Sequence, residues 1–156
     1  INESAIKMND SLQDLVWAVK PENDTLQELL VRMEQFASGI LESKNINYTF
    51  TGPTTVSDIK LNPELIRNIY LIFKEAVNNA AKYSNCANVT ITIKEKGKQL
   101  SLSVIDDGIG FNPETVKRGN GLNNMTKRAA QIGGSLNIIS EPNKQNGIVL
   151  ECKITS

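Results

Sequence analysis

A glutamate and an asparagine four positions apart are the first residues in this chain that could do chemistry. Glu75 and Asn79 lie within the segment Glu75–Lys82. Residues four apart on a helix are neighbours, so the carboxylate and the amide oxygen would lie side by side. Such oxygen ligands suit a hard cation like Mg²⁺, whose bound waters a nearby carboxylate can orient. The same residues are also common on solvated helix faces, so the pair alone leaves both interpretations open.

A second candidate is the turn Asp106–Gly110, which follows an alternating strand. Asp106 shares the parity of the apolar strand positions and is therefore predicted to point inward. A buried carboxylate needs a partner, and at a strand end it can accept a hydrogen bond from an exocyclic amine. Gly108 and Gly110 allow the backbone to close over a flat ligand. An ordinary Asp-Gly turn is the alternative.

A third candidate is Gly119-Asn120-Gly121-Leu122, which leads directly into a predicted helix. The unpaired N–H groups and the positive dipole end of a helix N-terminus favour phosphate. An isolated Gly-x-Gly is also frequent in plain loops, so this motif is weak when taken alone.

The helix that carries Glu75 is predicted over residues 63–84. Its core face holds Ile66, Ile69, Phe73, Val77 and Ala80. Glu75, Asn79 and Lys82 fall on the opposite side of the helix, and Leu71 and Ile72 flank them there. Because the helix is apolar on both flanks of this polar triplet, we expect the triplet to face a cavity. Further helices are predicted over 26–43 and 121–132, and strands over 46–51, 88–96, 99–107, 135–140 and 148–155. These elements describe an α/β protein.

The first segment carries apolar residues with the spacing of a coiled-coil seam, at Ala5, Met8, Leu12, Leu15 and Val19. The seam covers about two heptads, fewer than a secure coiled coil needs, and Pro21 ends it. Because the chain opens on Ile1 in helical sequence, we expect a fragment of a longer protein.

Composition excludes several classes of function. The 17 basic and 17 acidic residues cancel, which leaves no electrostatic footprint for nucleic acid. The chain has no histidine, so a serine–histidine triad and a histidine metal site are excluded. The two cysteines of these 156 residues indicate reduced thiols in the cytosol rather than a disulfide scaffold. No apolar run is long enough to span a bilayer.

Taken together, the order and spacing of the three motifs resemble the GHKL ATPase superfamily, which includes DNA gyrase B, the ninety-kilodalton heat-shock chaperones, the MutL repair proteins and the sensor histidine kinases. Glu75–Lys82 resembles its N box, Asp106–Gly110 its first glycine box and Gly119–Leu122 its second. The resemblance covers about residues 45–156. It implies a two-layer α/β sandwich, with helices on one face of a mixed, mostly antiparallel sheet.

Within the superfamily, the sequence is most similar to the histidine kinases. The Asn79-x-x-Lys82 ending and the run 121–129 are typical of them, and the stretch around Trp17 resembles the linker of the NarX/DesK-like branch. The short segment Phe111–Arg118 between the glycine boxes also resembles this branch. Residues 1–22 would then be the C-terminal end of a dimerisation helix with its linker, and 23–156 the catalytic ATP-binding domain.

The resemblance also implies roles for individual residues. Glu75 would be the catalytic base or water-orienting group, and Asn79 a ligand of Mg²⁺. The remaining ATP contacts would come from Asn78, Lys82, Asp106, Gly108, Gly110, Arg118, Gly119, Gly121 and Leu122.

The implied function is the transfer of the γ-phosphoryl group of ATP, with Mg²⁺, to a histidine on a dimerisation helix. The protein would be the cytoplasmic domain of a membrane-anchored bacterial sensor in a two-component phosphorelay. Its partners would be its own phosphoacceptor helix, a response regulator and, in a full-length homodimer, a second copy, but not nucleic acid. Two alternatives are another GHKL ATPase or anti-sigma-type serine kinase, and a non-catalytic nucleotide-gated dimerisation module.

Two positions depart from the kinase pattern. Asp107 stands where kinases often carry asparagine, and we expect it to alter a contact near the metal or the loop. The late box, usually small residues around Gly-Thr, reads Asn146-Gly147-Ile148, so we expect it to support the pocket less well.

Overall fold

The computed structural model describes residues 25–54, 56, 60–109, 121–141 and 143–154. In this part of the chain the helices are α1 (Leu26–Ser43), α2 (Pro63–Tyr83) and α3 (Gly121–Gln131). The strands are β1 (Asn47–Thr51), β2 (Asn88–Lys96), β3 (Gln99–Asp106), β4 (Ser135–Glu141) and β5 (Gln145–Lys153). The seam predicted over residues 5–19 lies outside the described residues.

The five strands form one sheet in the order β1-β2-β3-β5-β4. β1 pairs in parallel with β2, whereas the other three pairs are antiparallel. A parallel pair needs a crossover connection, and α2 lies in the chain between β1 and β2. The sheet is therefore mixed and mostly antiparallel, which confirms the predicted fold class.

One face of the sheet builds the core together with the helices. Alternate residues of β2, β3 and β5 are buried, namely Val89, Ile91, Ile93, Leu100, Leu102, Val104, Ile148, Leu150 and Cys152. The intervening positions Ser101 and Ser103 are only half-buried. The apolar sides of α1 and α2 belong to the same core, including Leu29, Ile69 and Phe73, each with no exposed area. The buried residues thus recur every second position in the strands and at helical spacing in α2, as expected for elements that bury one face.

Side chains next to the helices define where two of them begin. The Asn62 side-chain oxygen accepts a hydrogen bond from the Glu64 N–H at 2.8 Å, and Pro63 occupies the first helical position. Thr25 caps α1 in the same way. The predicted helices agree with the observed ones to within one residue at each end. None of the helices in the described part of the chain has the length and apolarity needed to cross a membrane.

The prediction for the last strand was wrong at its start, because β5 begins at Gln145 rather than at residue 148. Gly147 does not interrupt the strand but pairs with Ile105 of β3. A Cβ atom at Gly147 would overlap the Val104 carbonyl oxygen, and the residue has a φ of 147°. A glycine is therefore needed where β5 approaches β3 closely.

We expect Gly147→Ala to destabilise the fold by about 2 kcal/mol, because the backbone must move away from Val104 and the φ value is strained. Gly39→Ala is the matched control, since a Cβ there has nothing within 4 Å and lies inside α1. The control should stabilise the protein by about 0.5–1 kcal/mol. Urea denaturation of both variants measures the difference. Equal effects would contradict the close approach at Gly147.

Candidate functional site

The polar side of α2 presents the first group of predicted site residues. Glu75, Asn78 and Asn79 are half-buried, while Lys82 is exposed in the last turn. Val77 and Ala80 between them are buried in the core. The helix thus turns its amide and carboxylate side chains away from the core, as its periodicity predicts.

Glu75 meets the second glycine box at the start of α3. A Cβ atom at Gly121 would overlap the Glu75 Oε1 atom, so any larger residue there would require the Glu75 carboxylate to move. Gly121 is the first residue of α3, and the first N–H groups of a helix have no partner within it. The structure therefore places the predicted base beside a helix N-terminus suited to phosphate.

Asp106 ends β3 on the inner face of the sheet and is 7% exposed. Its Oδ1 atom accepts a hydrogen bond from the Gly108 N–H at 2.8 Å. Burial raises the pKa of the Asp106 carboxyl above its ordinary value of 3.8, although the Gly108 N–H and the Ser84 side chain act in the opposite direction. A carboxylate buried this way is costly unless it has donors to accept from.

The backbone around Gly108 is held from three sides. Its carbonyl oxygen accepts from the Asn143 N–H at 2.7 Å and from Asn146 Nδ2 at 2.9 Å. The next residue, Ile109, donates its N–H to the Ser84 carbonyl at 2.8 Å. A Cβ atom at Gly108 would overlap that same Ser84 oxygen. The first glycine box is therefore fixed to the end of α2 and to the β4–β5 turn.

Asn146 of the late box contacts the first glycine box directly. The side chain is 1% exposed, and its Nδ2 atom holds the Gly108 carbonyl. Asn146 also pairs with Asp106 across β3 and β5. Its Oδ1 atom is buried and has no hydrogen-bond partner among the described residues. A buried amide thus ties the strand to the glycine loop without the usual Gly-Thr sequence.

Asp107 directly follows β3, and its side chain contacts the end of the connection between α2 and β2. Its carboxylate accepts from the N–H groups of Ala87 and Asn88 at 2.9 and 3.0 Å, and from Asn88 Nδ2 at 2.8 Å. These hydrogen bonds, led by the Asn88 side chain, hold the pKa of Asp107 below its ordinary value. The side chain that stands where kinases often carry asparagine is thus engaged by residues 87 and 88, and its effect on a contact near the metal or the loop stays a prediction.

The structure joins part of the predicted site. Glu75 lies beside Gly121, and Asp106 and Gly108 lie next to the end of α2. Leu122 is half-buried against the core. Gly110, Arg118 and Gly119 lie outside the described residues. No group of three or more acidic, cysteine or histidine residues that could hold a metal occurs in the ranges described.

Sequence reasoning missed Ser84. Its hydroxyl donates to the Ala80 carbonyl at 2.6 Å, and the residue is 6% exposed. The available signal was its helical spacing, since Ser84 follows Ala80 by four positions on the core face of α2. A polar residue at a core position next to a strand-ending carboxylate is a reasonable site candidate.

Comparison with known proteins agrees with this geometry. The family model described as "Histidine kinase-, DNA gyrase B-, and HSP90-like ATPase" matches residues 64–156. The chain belongs to this ATPase family. The match includes α2, β3 and α3, so all three sequence motifs lie inside the ATPase-family region, and the resemblance predicted from them is confirmed.

Relatives of this ATPase-family chain include two bacterial sensors. Sensor histidine kinase LiaS of Bacillus subtilis (strain 168) is 35% identical over 100 residues, which cover 64% of this chain and 27% of LiaS. Sensor protein VraS of Staphylococcus aureus (strain COL) is 33% identical over 99 residues, covering 63% of this chain and 28% of VraS. The match thus spans about a quarter of the length of these relatives. The NarX/DesK-like branch stays a prediction.

Solved structures share the fold. The catalytic domain of histidine kinase ThkA is similar with a TM-score of 0.68 and 17% identity, covering 85% of this chain and 95% of that domain. The histidine kinase domain of an Erythrobacter litoralis EL346 blue-light activated histidine kinase gives a TM-score of 0.65 at 20% identity, covering 85% and 63% of the two chains. The ATPase-family fold is therefore common to all three.

Proposed function

We propose that this chain is the catalytic, ATP-binding part of a sensor histidine kinase. The observation that carries the proposal is the placement of two subsites along α2. Glu75 lies against Gly121 at the N-terminus of α3, which is suited to phosphate. Ser84 contacts the glycine loop that follows Asp106. Ser84 follows Glu75 by nine positions and caps the end of α2, so the two are about 13.5 Å apart along the axis. A nucleoside triphosphate can bridge this span between its base and its terminal phosphate.

The base would bind at the Asp106 end. The Asp106 carboxylate accepts a hydrogen bond from the exocyclic amine of adenine, and Gly108 and Gly110 let the backbone approach the ring. The buried position of Asp106 and the fixed Gly108 peptide support this assignment. A donor-bearing base matches a buried acceptor, whereas a carbonyl at the same position would meet repulsion.

The phosphates would bind at the other end. Backbone N–H groups, together with basic and amide side chains, would contact them there. The contacts we propose are Lys82, Arg118, Gly119, Gly121, Leu122 and the polar side chain of Asn78. The start of α3 at Gly121 supports the phosphate position, because the first N–H groups of a helix have no partner within it.

The donor set on α2 fits Mg²⁺. Asn79 offers an amide oxygen one turn from the Glu75 carboxylate, and both are half-buried. Mg²⁺ prefers oxygen ligands and shares its coordination with substrate phosphates, so it does not need a cage of carboxylates. We assign Asn79 as the protein ligand. When bound, Mg²⁺ would neutralise charge on the phosphates.

Glu75 would act on the acceptor. The chain contains no histidine, so the nucleophile must come from another segment. Glu75 holds the imidazole N–H by its carboxylate and thereby orients the opposite ring nitrogen toward the γ-phosphorus. Phosphoryl transfer depends mainly on such positioning.

The wider role of the protein is also proposed. Residues 1–22 would be the end of a dimerisation helix and its linker, and 23–156 the catalytic domain. This boundary is supported by Leu26 and Leu29, which are fully buried in the same core. A full-length homodimer would pass the phosphoryl group to a response regulator. A cytoplasmic location agrees with the free thiols of Cys86 and Cys152.

Radiolabelled ATP tests the proposal. Three reactions are compared. The first contains the chain alone, the second contains the chain with a supplied dimerisation fragment that carries the phosphoacceptor histidine, and the third contains the fragment alone. We expect label on the fragment only when both are present, and no label on this chain. Acid-labile, alkali-stable label identifies phosphohistidine. Label on this chain by itself, or release of phosphate without labelled fragment, would favour a serine kinase or an ATPase instead.

Asn79→Ala should remove the Mg²⁺ dependence of nucleotide binding and leave the fold intact, because the side chain lies away from the core. Calorimetry of ADP binding with and without Mg²⁺ measures this. Asn123→Ala is a control, since Asn123 is exposed on α3 and has no assigned metal role. A persistent Mg²⁺ effect in Asn79→Ala would remove this residue from the metal site.

A further inference from the structure

A buried amide and an arginine connect α2 to α3 at a distance from the subsites. Asn68 has no exposed area, and its Nδ2 atom donates to the Glu64 carbonyl of its own helix at 2.9 Å. This bond fixes the orientation of the amide, because only the nitrogen can donate to a carbonyl. The Oδ1 atom then accepts from Arg128 Nη1 of α3 at 3.4 Å.

The contact is in register with the one between Glu75 and Gly121. Asn68 precedes Glu75 by seven positions in α2, and Arg128 follows Gly121 by seven positions in α3. The two helices therefore run antiparallel between these contacts, which lie about 10.5 Å apart along each axis. One contact is a hydrogen bond from a guanidinium, and the other is the close approach that glycine permits.

We propose that the Asn68–Arg128 pair is a positioning device that sets the axial register of α3 against α2. Met125 and Ala129 of α3 are buried in the core, but apolar contacts alone tolerate small sliding movements. A directional hydrogen bond to a fixed, buried acceptor, here a long one of 3.4 Å, limits that freedom. The pair thereby holds the N-terminus of α3 at the distance from Glu75 that phosphate binding requires. Neither residue is among the nucleotide contacts proposed above.

The consequence for binding rests on the proposed function. Phosphates would be bound by the N-terminus of α3, whereas the base would be bound by the end of β3 and the glycine loop that follows it, next to the end of α2. Loosening the register of α3 should therefore weaken the contribution of the phosphates and spare that of the base. A general loss of stability would weaken both.

The test compares Arg128→Met with Lys127→Met. Both variants remove one positive charge from neighbouring positions of α3, but Lys127 is exposed and lies outside the pair. Arg128→Lys tests rescue, because an ammonium group can also donate to the Asn68 oxygen. Thermal denaturation identifies any variant that fails to fold. The folded variants are then compared by two measurements, one without and one with nucleotide.

Without nucleotide, amide hydrogen exchange at residues 125–128 measures how firmly α3 is held against α2. We expect about fivefold faster exchange in Arg128→Met, no change in Lys127→Met and partial recovery in Arg128→Lys. Unchanged exchange in Arg128→Met would overturn the inference, and this outcome does not depend on any nucleotide activity.

With nucleotide, titrations followed by NMR compare ADP with adenosine. Arg128→Met should bind ADP about tenfold more weakly, since small misplacements of binding groups are costly, and adenosine with a change of about twofold or less. An equal loss for both ligands would mean a merely structural role and would overturn the inference. Failure of the unaltered chain to bind either ligand would instead contradict the proposed function, with the exchange result still deciding the positioning role.

Discussion

Asp106→Asn is expected to weaken ADP binding by about tenfold or more while the protein stays folded. The asparagine keeps the shape of the side chain, and its oxygen can still accept from the Gly108 N–H that now bonds Asp106 Oδ1 at 2.8 Å. Its NH₂ group, however, faces the adenine amine as a second donor. An unpaired buried polar group costs about 1–3 kcal/mol. Isothermal titration calorimetry of the two proteins measures the loss.

The control for this variant is Asp107→Asn. The Asp107 carboxylate is engaged by Ala87 and Asn88, so its replacement should change ADP affinity by about twofold or less. Equal affinities of Asp106→Asn and the unaltered protein would remove Asp106 from the base subsite. A similar loss in both variants would indicate a disturbed loop rather than a lost acceptor.

The same carboxyl predicts a dependence on pH. Burial raises the pKa of Asp106 in the folded protein, so ionisation of this group opposes folding. Relative to Asp106→Asn, the unaltered protein should be most stable below the ordinary pKa of about 3.8 and should lose that advantage as the pH rises through the raised value. ADP affinity should show the reverse trend, because only the ionised carboxylate accepts freely. The variant should show neither trend.

Much of the fold follows from periodicity in the sequence. The parity of Leu100, Leu102 and Val104 already places Asp106 on the inner face, and the structure finds it buried there. The helix boundaries follow from local signals such as Asn62-Pro63. The start of β5 could not be predicted in this way, because a glycine in the sequence does not favour a strand. Gly147 lies in β5 at a point where the carbonyl oxygen of Val104 leaves no room for a Cβ atom. That requirement comes from a neighbouring strand distant in sequence.

The candidate site was predictable as three motifs but not as one arrangement. No local pattern states that Gly121 meets Glu75, because the contact depends on the antiparallel packing of two helices that are separated by β2 and β3. The role of Asn146 was missed for a related reason. Its polar side chain is acceptable in the core only because it donates to the Gly108 carbonyl. The relative placement of the three motifs was predicted from the resemblance to a family, because local sequence patterns do not specify it.

Glu75→Gln is expected to lower phosphoryl transfer to a supplied histidine fragment by about 10²–10³-fold. Glutamine preserves the volume of the side chain and its position beside Gly121, so the helix packing should persist. It loses the negative charge that orients and polarises the acceptor imidazole. ADP affinity should therefore change by about twofold or less, which separates a role in transfer from a role in binding.

Glu64→Gln serves as the control, because Glu64 is exposed in the first turn of the same helix and should leave the transfer rate unchanged. The rates are measured with saturating ATP and Mg²⁺ at several concentrations of the fragment, so that docking and transfer are resolved. A reduced affinity for the fragment with an unchanged limiting rate would assign Glu75 to docking. Unchanged transfer at all concentrations would exclude Glu75 as the base and leave catalysis to positioning by the phosphate subsite and the metal ion.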